Sequence, residues 1–354
     1  MHIDSLRILE IGDTPFFQPL RPSQVAFFYV GKKSSYPKNF LTYRQFRQLR
    51  RDLASLKYDL VVFSSFGVSG VPWRQDRSLF SNLLRMLRCW LGPFCLYGTW
   101  IVSWLLRDID VPFLVLDRKD DPNVIPAHYL PLLERCDVYF WREYPVKLES
   151  GFFSTSRLGD TSAVRNSSIF KHNRHKVRPI SIGADHDAAF NGIDLQYPKV
   201  LDVFFAGFPK GEAREKGLPL LKELQEEGLR IEFENARKYS REEFFKRCAE
   251  SWLVWSPEGH GWDCYRHYEV GLAGSVPMMN YPRTYRYQPL IDGVHGFYYG
   301  VEGEDLKRVI RQALSDKDKL RVMAKAGREH VLKYHTYDKL ASYMLSYLFP
   351  EENK

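Results

Sequence analysis

Apolar and polar residues alternate along this chain in two rhythms, and the places where one gives way to the other mark its elements. In the first half, 7–11 is a short apolar run that stops at Gly12-Asp13 and predicts a strand. Residues 43–56 repeat at helical spacing with Arg44, Arg47 and Arg51 on one face, and 58–64 (Y-D-L-V-V-F-S) returns to a continuous apolar run. The stretch 78–91 carries Leu79, Phe80, Leu83, Leu84, Leu87, Trp90 and Leu91 on one stripe and predicts an amphipathic helix. Strands at 111–116 and 137–141 follow. Runs buried on both faces and separated by helices point to a parallel sheet covered on each side. Residues 151–178, rich in Ser, Asn, Arg and His, form a surface excursion before a strand at 179–182.

The second half repeats the scheme more regularly. Strands are expected at 200–207, 230–234, 252–256 and 276–280, with helices at 214–227, from 241 to about 250, and at 264–273. Ser240 with Glu243 forms a capping box, and Gly274 is a helix-terminating glycine. Helices at 304–314, 318–334 and 337–348 close the chain. The expectation is an α/β protein of two Rossmann-like, doubly wound domains. Residues 1–190 form the first and 191–335 the second, with a hinge near 188–199 that holds Gly192 and Pro198. A terminal helix over 336–354 crosses back to the first domain.

Composition adds a class and a direction. Hydrophobic residues make up 44% of the 354 and aromatic residues 15%, enough for packed cores. The five cysteines, Cys89, Cys95, Cys136, Cys248 and Cys264, form no C-x-x-C pair, which argues against a disulfide framework or zinc site and for a reducing cytosol. No secretory leader is read at the start. The net charge of +8 is uneven: residues 1–190 hold 26 Lys and Arg against 18 Asp and Glu, whereas 191–354 hold 25 of each. A basic first half fits an anionic partner, such as a membrane surface, a nucleic acid or a phosphorylated acceptor, and equally fits plain solubility. Arg74, Arg77, Arg85 and Arg88 flank the apolar stripe of 78–91, so this helix either lies on an anionic membrane or belongs to the core. The apolar stretch 94–106 is too short to span a bilayer.

The most specific chemistry lies in S-P-E-G-H-G-W-D-C-Y-R-H-Y-E-V-G-L-A-G-S-V-P, residues 256–277. A strand stops, a loop with Gly259 and Gly261 follows, and a helix begins. Glycines let backbone approach a ligand, and a helix start offers free N–H groups to a phosphate. Arg266 in the first turn adds a guanidinium suited to phosphate, and Glu269 a carboxylate suited to sugar hydroxyls. The alternative is a tight turn with a solvated ion pair. A second loop, G-F-P-K-G-E-A-R over 207–214, brings Gly207, Lys210 and Arg214 to the end of another strand. Tyr239 stands where it could stack on a base or simply sit exposed at a helix start.

These motifs resemble the donor site of nucleotide-sugar glycosyltransferases of the GT-B fold. The runs E-G-H-G and E-x-x-x-x-G-x-V-P carry the likeness, and G-x-D-x-x-R-x-x-E is similar to the exostosin-like and spore-maturation (CgeB-like) branch. The resemblance covers about 200–345. It implies two domains facing a cleft, and a sugar moved from a nucleoside-diphosphate donor to a glycan or lipid-linked saccharide of a surface polysaccharide. It assigns Gly207, Lys210, Arg214, Tyr239, Glu258, Gly259, His260, Gly261, Arg266 and Glu269 to the donor. Two glutamates of the commonest retaining group stand closer together than Glu258 and Glu269, which ten residues separate, so retention and inversion both stay open. Asp13, Asp120 and Asp121 follow strands and are candidates for a catalytic base, with His186 a further one. Asp13, Asp121 and Arg266 form the expected catalytic set. Asp108-Ile109-Asp110 precedes its strand and reads as a turn, so no essential metal and no cofactor is expected. The protein is then a cytoplasmic enzyme, possible at the inner face of a membrane. A DNA-base glycosyltransferase and a non-catalytic carbohydrate-binding protein of the same fold are the alternatives.

Overall fold

The computed structural model describes residues 5–30, 41, 43–66, 78, 99–120, 129–146, 168–185, 197–234, 238–259 and 261–350. They form two compact units, 1–180 with 341–354, and 181–340. Each is a parallel sheet dressed with helices, the Rossmann-like architecture that the sequence predicts.

In the first unit the elements are β1 (Ile8–Gly12), α1 (Phe17–Leu20), β2 (Val25–Tyr29), α2 (Tyr43–Ala54), β3 (Leu60–Ser65), α3 (Thr99–Leu105), β4 (Phe113–Asp117), α4 (Leu130–Arg135), β5 (Val138–Trp141), α5 (Ser168–Asn173) and β6 (Val177–Pro179). The sheet order is β2-β1-β3-β4-β5-β6. β1, β3, β4 and β5 are buried at every position, as strands covered on both faces must be. The sixth strand lies at 177–179, ahead of the expected 179–182, and α5 lies inside the stretch read as a surface excursion. The predicted helix over 78–91, with its four arginines, lies outside the described residues.

The second unit holds β7 (Leu201–Ala206), α6 (Glu212–Glu226), β8 (Ile231–Glu234), α7 (Arg241–Ala249), β9 (Ser251–Trp255), α8 (Tyr265–Leu272), β10 (Val276–Asn280), β11 (Phe297–Tyr299), α9 (Asp305–Leu314) and α10 (Lys317–Tyr334), in sheet order β11-β10-β9-β7-β8. The capping box before α7 is formed: Ser240 Oγ accepts the Glu243 N–H at 3.2 Å, and Glu243 Oε2 accepts the Ser240 N–H at 2.7 Å. Gly274 ends α8 with φ +72°, a conformation open to glycine. The last helix, α11 (Tyr337–Ser346), leaves the second unit, and its residues from 341 onward belong to the first. There Tyr343 meets the ring of Phe140 on β5 at 5.4 Å and donates its hydroxyl to the Pro179 carbonyl at 3.2 Å. No helix among the described residues is long and apolar enough to cross a membrane.

In the second sheet the chain adds β8 on one side of β7 and then β9 on the other. An open α/β sheet binds ligands outside the carboxyl ends of its strands at such a reversal.

Candidate functional site

At that reversal lies a cavity of about 330 Å³, lined by Ala206, Arg214, Tyr239, Ser240, Arg241, Phe244, Cys264, Tyr265, Arg266 and Glu269. β7 ends at its floor, α6 supplies Arg214, the first turn of α7 supplies Arg241 and Phe244, and the start of α8 supplies Arg266 and Glu269.

The cavity is rich in guanidinium. Arg266 donates Nη2 to the carbonyl of Ala206, and its guanidinium lies 5.1 Å from the centre of the Phe205 ring. Its Nε and Nη1 are buried with no acceptor. Arg214 donates Nη1 to the Phe208 carbonyl at 3.1 Å, while its Nε is likewise buried without an acceptor. Burial, and then the positive charge of Arg266, hold the Arg214 guanidinium below its usual pKa. Two cations with N–H groups left over suit an anion with several oxygens, because each orphaned donor costs desolvation until an acceptor meets it. Residues 259 and 211 frame this pair. A Cβ on Gly259 would come within 3.2 Å of Arg214 Nη2, and Gly211 takes φ +109° in front of α6. α8 has no side-chain cap at its start, and Cys264 and Tyr265 there line the cavity.

Glu269 carries the carboxylate of the cavity wall. It stands 3.6 Å from Arg241 Nη1, a partner that the sequence did not reveal. Tyr239 is half-buried: its hydroxyl donates to Glu232, and its ring meets Phe204 edge-on at 5.7 Å. The ring therefore forms a fixed wall instead of the exposed side chain that its place before a helix made the plainer reading.

Other expected residues are placed differently. Lys210 is exposed and is not among the residues lining the cavity. Glu258 is clasped by Asn280 at the end of β10: its N–H donates to Asn280 Oδ1 at 2.8 Å, and its Oε2 accepts from Asn280 Nδ2 at 3.0 Å. Gly207 continues from β7, with its N–H on the Glu234 carbonyl at 3.0 Å. The Gly261 carbonyl accepts the Gly259 N–H at 2.9 Å, closing a tight loop. His260 lies outside the described residues, as do Asp121 and His186. In the first unit, Asp13 accepts the Phe66 N–H at 2.8 Å, and Asp120 pairs with Arg142. Asp108 takes φ +63° in a turn before β4, as its position implied. No group of three or more His, Cys, Asp and Glu side chains among the described residues could hold a metal ion.

His267 was not anticipated. It is buried between β9 and the loop: Nδ1 lies 2.8 Å from Ser256 Oγ and Nε2 2.8 Å from the Trp262 carbonyl. Burial pulls its pKa down to about 4, so the imidazole is neutral, donating to the carbonyl and accepting from the serine. It fixes the loop that carries Gly259 and Gly261 against the strand it leaves. Asp263 does the same on the other side, accepting the Ile182 N–H and the Tyr268 hydroxyl.

Residues 255–346 match the family described as glycosyl transferase-like. No curated protein matches the chain. Its fold is similar to that of a glycosyltransferase from Rickettsia africae, with a TM-score of 0.54 and 11% identity over 98% of this chain and 99% of that one. It is also similar to a UDP-forming α,α-trehalose-phosphate synthase from Burkholderia xenovorans, with a TM-score of 0.56 and 10% identity over 99% and 100%. HepE of Anabaena, crystallised with UDP-glucose, aligns with a TM-score of 0.50 and 11% identity over 97% and 99%. At these identities the likeness is one of fold, and the fold is that of the GT-B glycosyltransferases.

Proposed function

We infer that the chain is a glycosyltransferase that binds a nucleoside-diphosphate sugar in the second unit and transfers the sugar to an acceptor. The observation that carries this reading is the cavity at the β7/β9 reversal, where Arg214 and Arg266 present buried N–H groups without acceptors beside the start of α8. As the bond to the sugar breaks, negative charge gathers on the departing diphosphate. Fixed guanidiniums and helix amides stabilise that charge without having to reorganise. Glu269 accepts from ribose hydroxyls, and Tyr239 with Phe244 flanks the base. Because arginines already hold the diphosphate, turnover continues in EDTA. The motif G-x-D-x-x-R-x-x-E supports placing the chain near the exostosin-like and CgeB-like branch, and the positive first half supports an acceptor that is a glycan or a lipid-linked saccharide. Asp13, at the carboxyl end of β1, is the base we assign to the first unit, with Asp121 its alternative.

A thermal-shift screen against nucleoside diphosphates tests the assignment, followed by titration of the best ligand. Arg266→Ala removes charge-assisted hydrogen bonds worth about 1.5–3 kcal/mol, so affinity falls roughly 10–100-fold. Wild-type affinity in both Arg214→Ala and Arg266→Ala would sink the donor assignment. Loss of turnover in EDTA, restored by Mn²⁺, would sink the metal-independent mechanism while leaving the nucleotide site standing.

A further inference from the structure

The second unit has another cavity, of about 820 Å³, at the opposite edge of its sheet. Trp252 at the start of β9 and Gly274 just before β10 line it, so it opens at the amino ends of these strands, whereas the first cavity lies at the carboxyl end of β7. Roughly 15 Å of strand separates the two, at about 3.3 Å per residue.

One face of α10 forms its wall. Lys317, Arg321, Lys325 and Arg328 follow one another at spacings of four, four and three residues, which stacks them on a single stripe. Lys317 Nζ and the Arg321 guanidinium lie 4.9 and 5.1 Å from the centre of the Trp252 indole. Leu320 and Ala324, both buried, make an apolar floor beside it. Val322, 71% exposed, adds apolar surface to the same helix.

The charge of this wall is only partly answered. Lys317 has Asp202 at 3.4 Å, and Arg321 has Asp318 at 2.5 Å. Lys199 also lines the cavity, but the Ala249 and Gly274 carbonyls and Ser275 Oγ accept its three protons at 2.7, 2.9 and 2.9 Å. Arg328 gives Nε to the Leu272 carbonyl at 3.3 Å. Among the described residues neither Lys325 nor Arg328 has a carboxylate within ion-pair distance, and Glu329 is the one carboxylate lining the cavity. A unit with balanced overall charge therefore gathers uncompensated cations beside an indole and an apolar floor.

We propose that this cavity binds a phosphate group carried on an apolar body. Lys325 and Arg328 take the phosphate, with Arg321 at its edge, and Trp252, Leu320 and Ala324 take the apolar part. A soluble phosphate ester and an anionic lipid in a bilayer share that chemistry. The site is independent of the donor assignment.

The test uses the full chain with two probes: a short-chain phosphatidic acid held in monomeric solution, and phosphatidylcholine vesicles with and without phosphatidylglycerol. The variants are Lys325→Glu, at an exposed position, and Lys325→Glu with Arg328→Glu. The wild type binds the soluble phosphatidate. The double variant loses about tenfold or more in affinity, the equivalent of one charge-assisted contact. Arg266→Ala binds the phosphatidate as the wild type does, which separates this site from the donor cavity. Binding to the anionic vesicles identifies a lipid surface as the source, and binding to the soluble probe alone identifies a free ester. No binding to either probe, or equal binding by wild type and Lys325→Glu with Arg328→Glu, overturns the proposal.

Discussion

The two sheets reverse at equivalent places, between β1 and β3 in the first unit and between β7 and β9 in the second, yet the cations at the two reversals are partnered differently. In the first unit, a Cβ on Gly12 would fall 1.7 Å from the Ser64 carbonyl oxygen. Arg118 lies across the strand ends, donating Nη2 to the Thr14 carbonyl at 2.9 Å and to Ser64 Oγ at 3.0 Å, with its guanidinium 4.3 Å from the Phe66 ring centre. Glu10 is buried close by and accepts the amides of Phe16, Phe17 and Gln18. Lys119 pairs with Asp117, and Arg142 stands 3.6 Å from buried Glu143. In the second unit Arg214 and Arg266 have no carboxylate within ion-pair distance among the described residues, and both keep N–H groups with no acceptor. The same topology thus pairs the cations with carboxylates in one unit and leaves Arg214 and Arg266 without them in the other. Topology sets where a ligand can sit. Whether the cations there bind something else depends on how far the protein's own carboxylates and carbonyls have already claimed them.

The sharpest way to break that comparison is to remove one of the paired cations. Arg142 and Glu143 have side chains only 1% and 0% exposed. Arg142→Met removes the cation from Asp120 and from the buried Glu143 carboxylate, which costs about 3–5 kcal/mol. Urea denaturation should show that loss, while the nucleotide response of the folded variant stays intact. Arg266→Met, its counterpart in the second unit, removes orphaned donors and changes stability by less than about 1 kcal/mol while weakening the nucleotide. If Arg142→Met is as stable as the wild type, the distinction between paired and unpaired cations fails.

Acid sharpens the comparison from another side, because the most deeply buried titratable groups beside the two sites respond with opposite signs. Burial raises the Glu10 pKa, so the folded first unit retains a proton that the unfolded chain has released. That penalty grows as pH rises through the window between the two values and is relieved by acid. In the second unit, burial lowers His267 to about 4 and His335 to about 3 from an ordinary 6.5. Between pH 6.5 and about 4 the unfolded chain takes up protons that the folded unit refuses. The stability these imidazoles contribute is therefore present above 6.5 and lost as pH falls. For His267 the loss is on the order of 3 kcal/mol. Hydrogen exchange resolved by peptide should show the second unit opening first on acidification from pH 7 to 4, with a flatter profile in His267→Gln. Earlier opening of the first unit would reverse the argument.

Much of this was legible in the residues. The apolar runs that became β3, β4, β7, β9 and β10 have the length and continuity of strands covered on both faces, and Ser240, Glu243 and Gly274 mark helix ends by local chemistry alone. β2 escaped because it is an edge strand with alternating burial, and α1 because four residues are too few for a helical period. At the cavity, Arg214, Arg266, Glu269 and Tyr239 converge because each follows a strand or opens a helix on the same edge of the sheet. Lys210 does not join them, since nothing local decides which cation of a loop turns inward. Arg241 and Phe244 depend on how the first turn of α7 lies against α8, a long-range packing that no spacing records. His267 looked like any residue between Arg266 and Tyr268, and only its burial against Ser256 and Trp262 gives it a task.

The smallest change tests the comparison most directly, because the same substitution is made at nearly the same point of each sheet. Gly12 is the last residue of β1, and Gly207 directly follows the last residue of β7. Neither has a positive φ, so the backbone accepts alanine at both and only space decides. At Gly12 the obstacle is the backbone carbonyl of Ser64, which is held in the β1–β3 ladder and cannot step aside. Gly12→Ala is then an overpacked core and loses about 1–3 kcal/mol of stability with little change in nucleotide affinity. At Gly207 a Cβ would lie 2.6 Å from the Phe205 ring and 3.0 Å from Arg266 Nη2. Phe205 is the closer obstacle and is packed on Trp255, with ring centres 4.7 Å apart, so its ring must shift and the Arg266 guanidinium, 5.1 Å from its centre, moves with it. The guanidinium leaves the Ala206 carbonyl and turns away from the phosphate position. Nucleoside-diphosphate affinity should fall about tenfold in Gly207→Ala, the equivalent of one charged hydrogen bond. Titration calorimetry on both alanine variants, beside their melting temperatures, measures the contrast. Wild-type affinity in Gly207→Ala would mean that Arg266 does not hold the diphosphate from its present position.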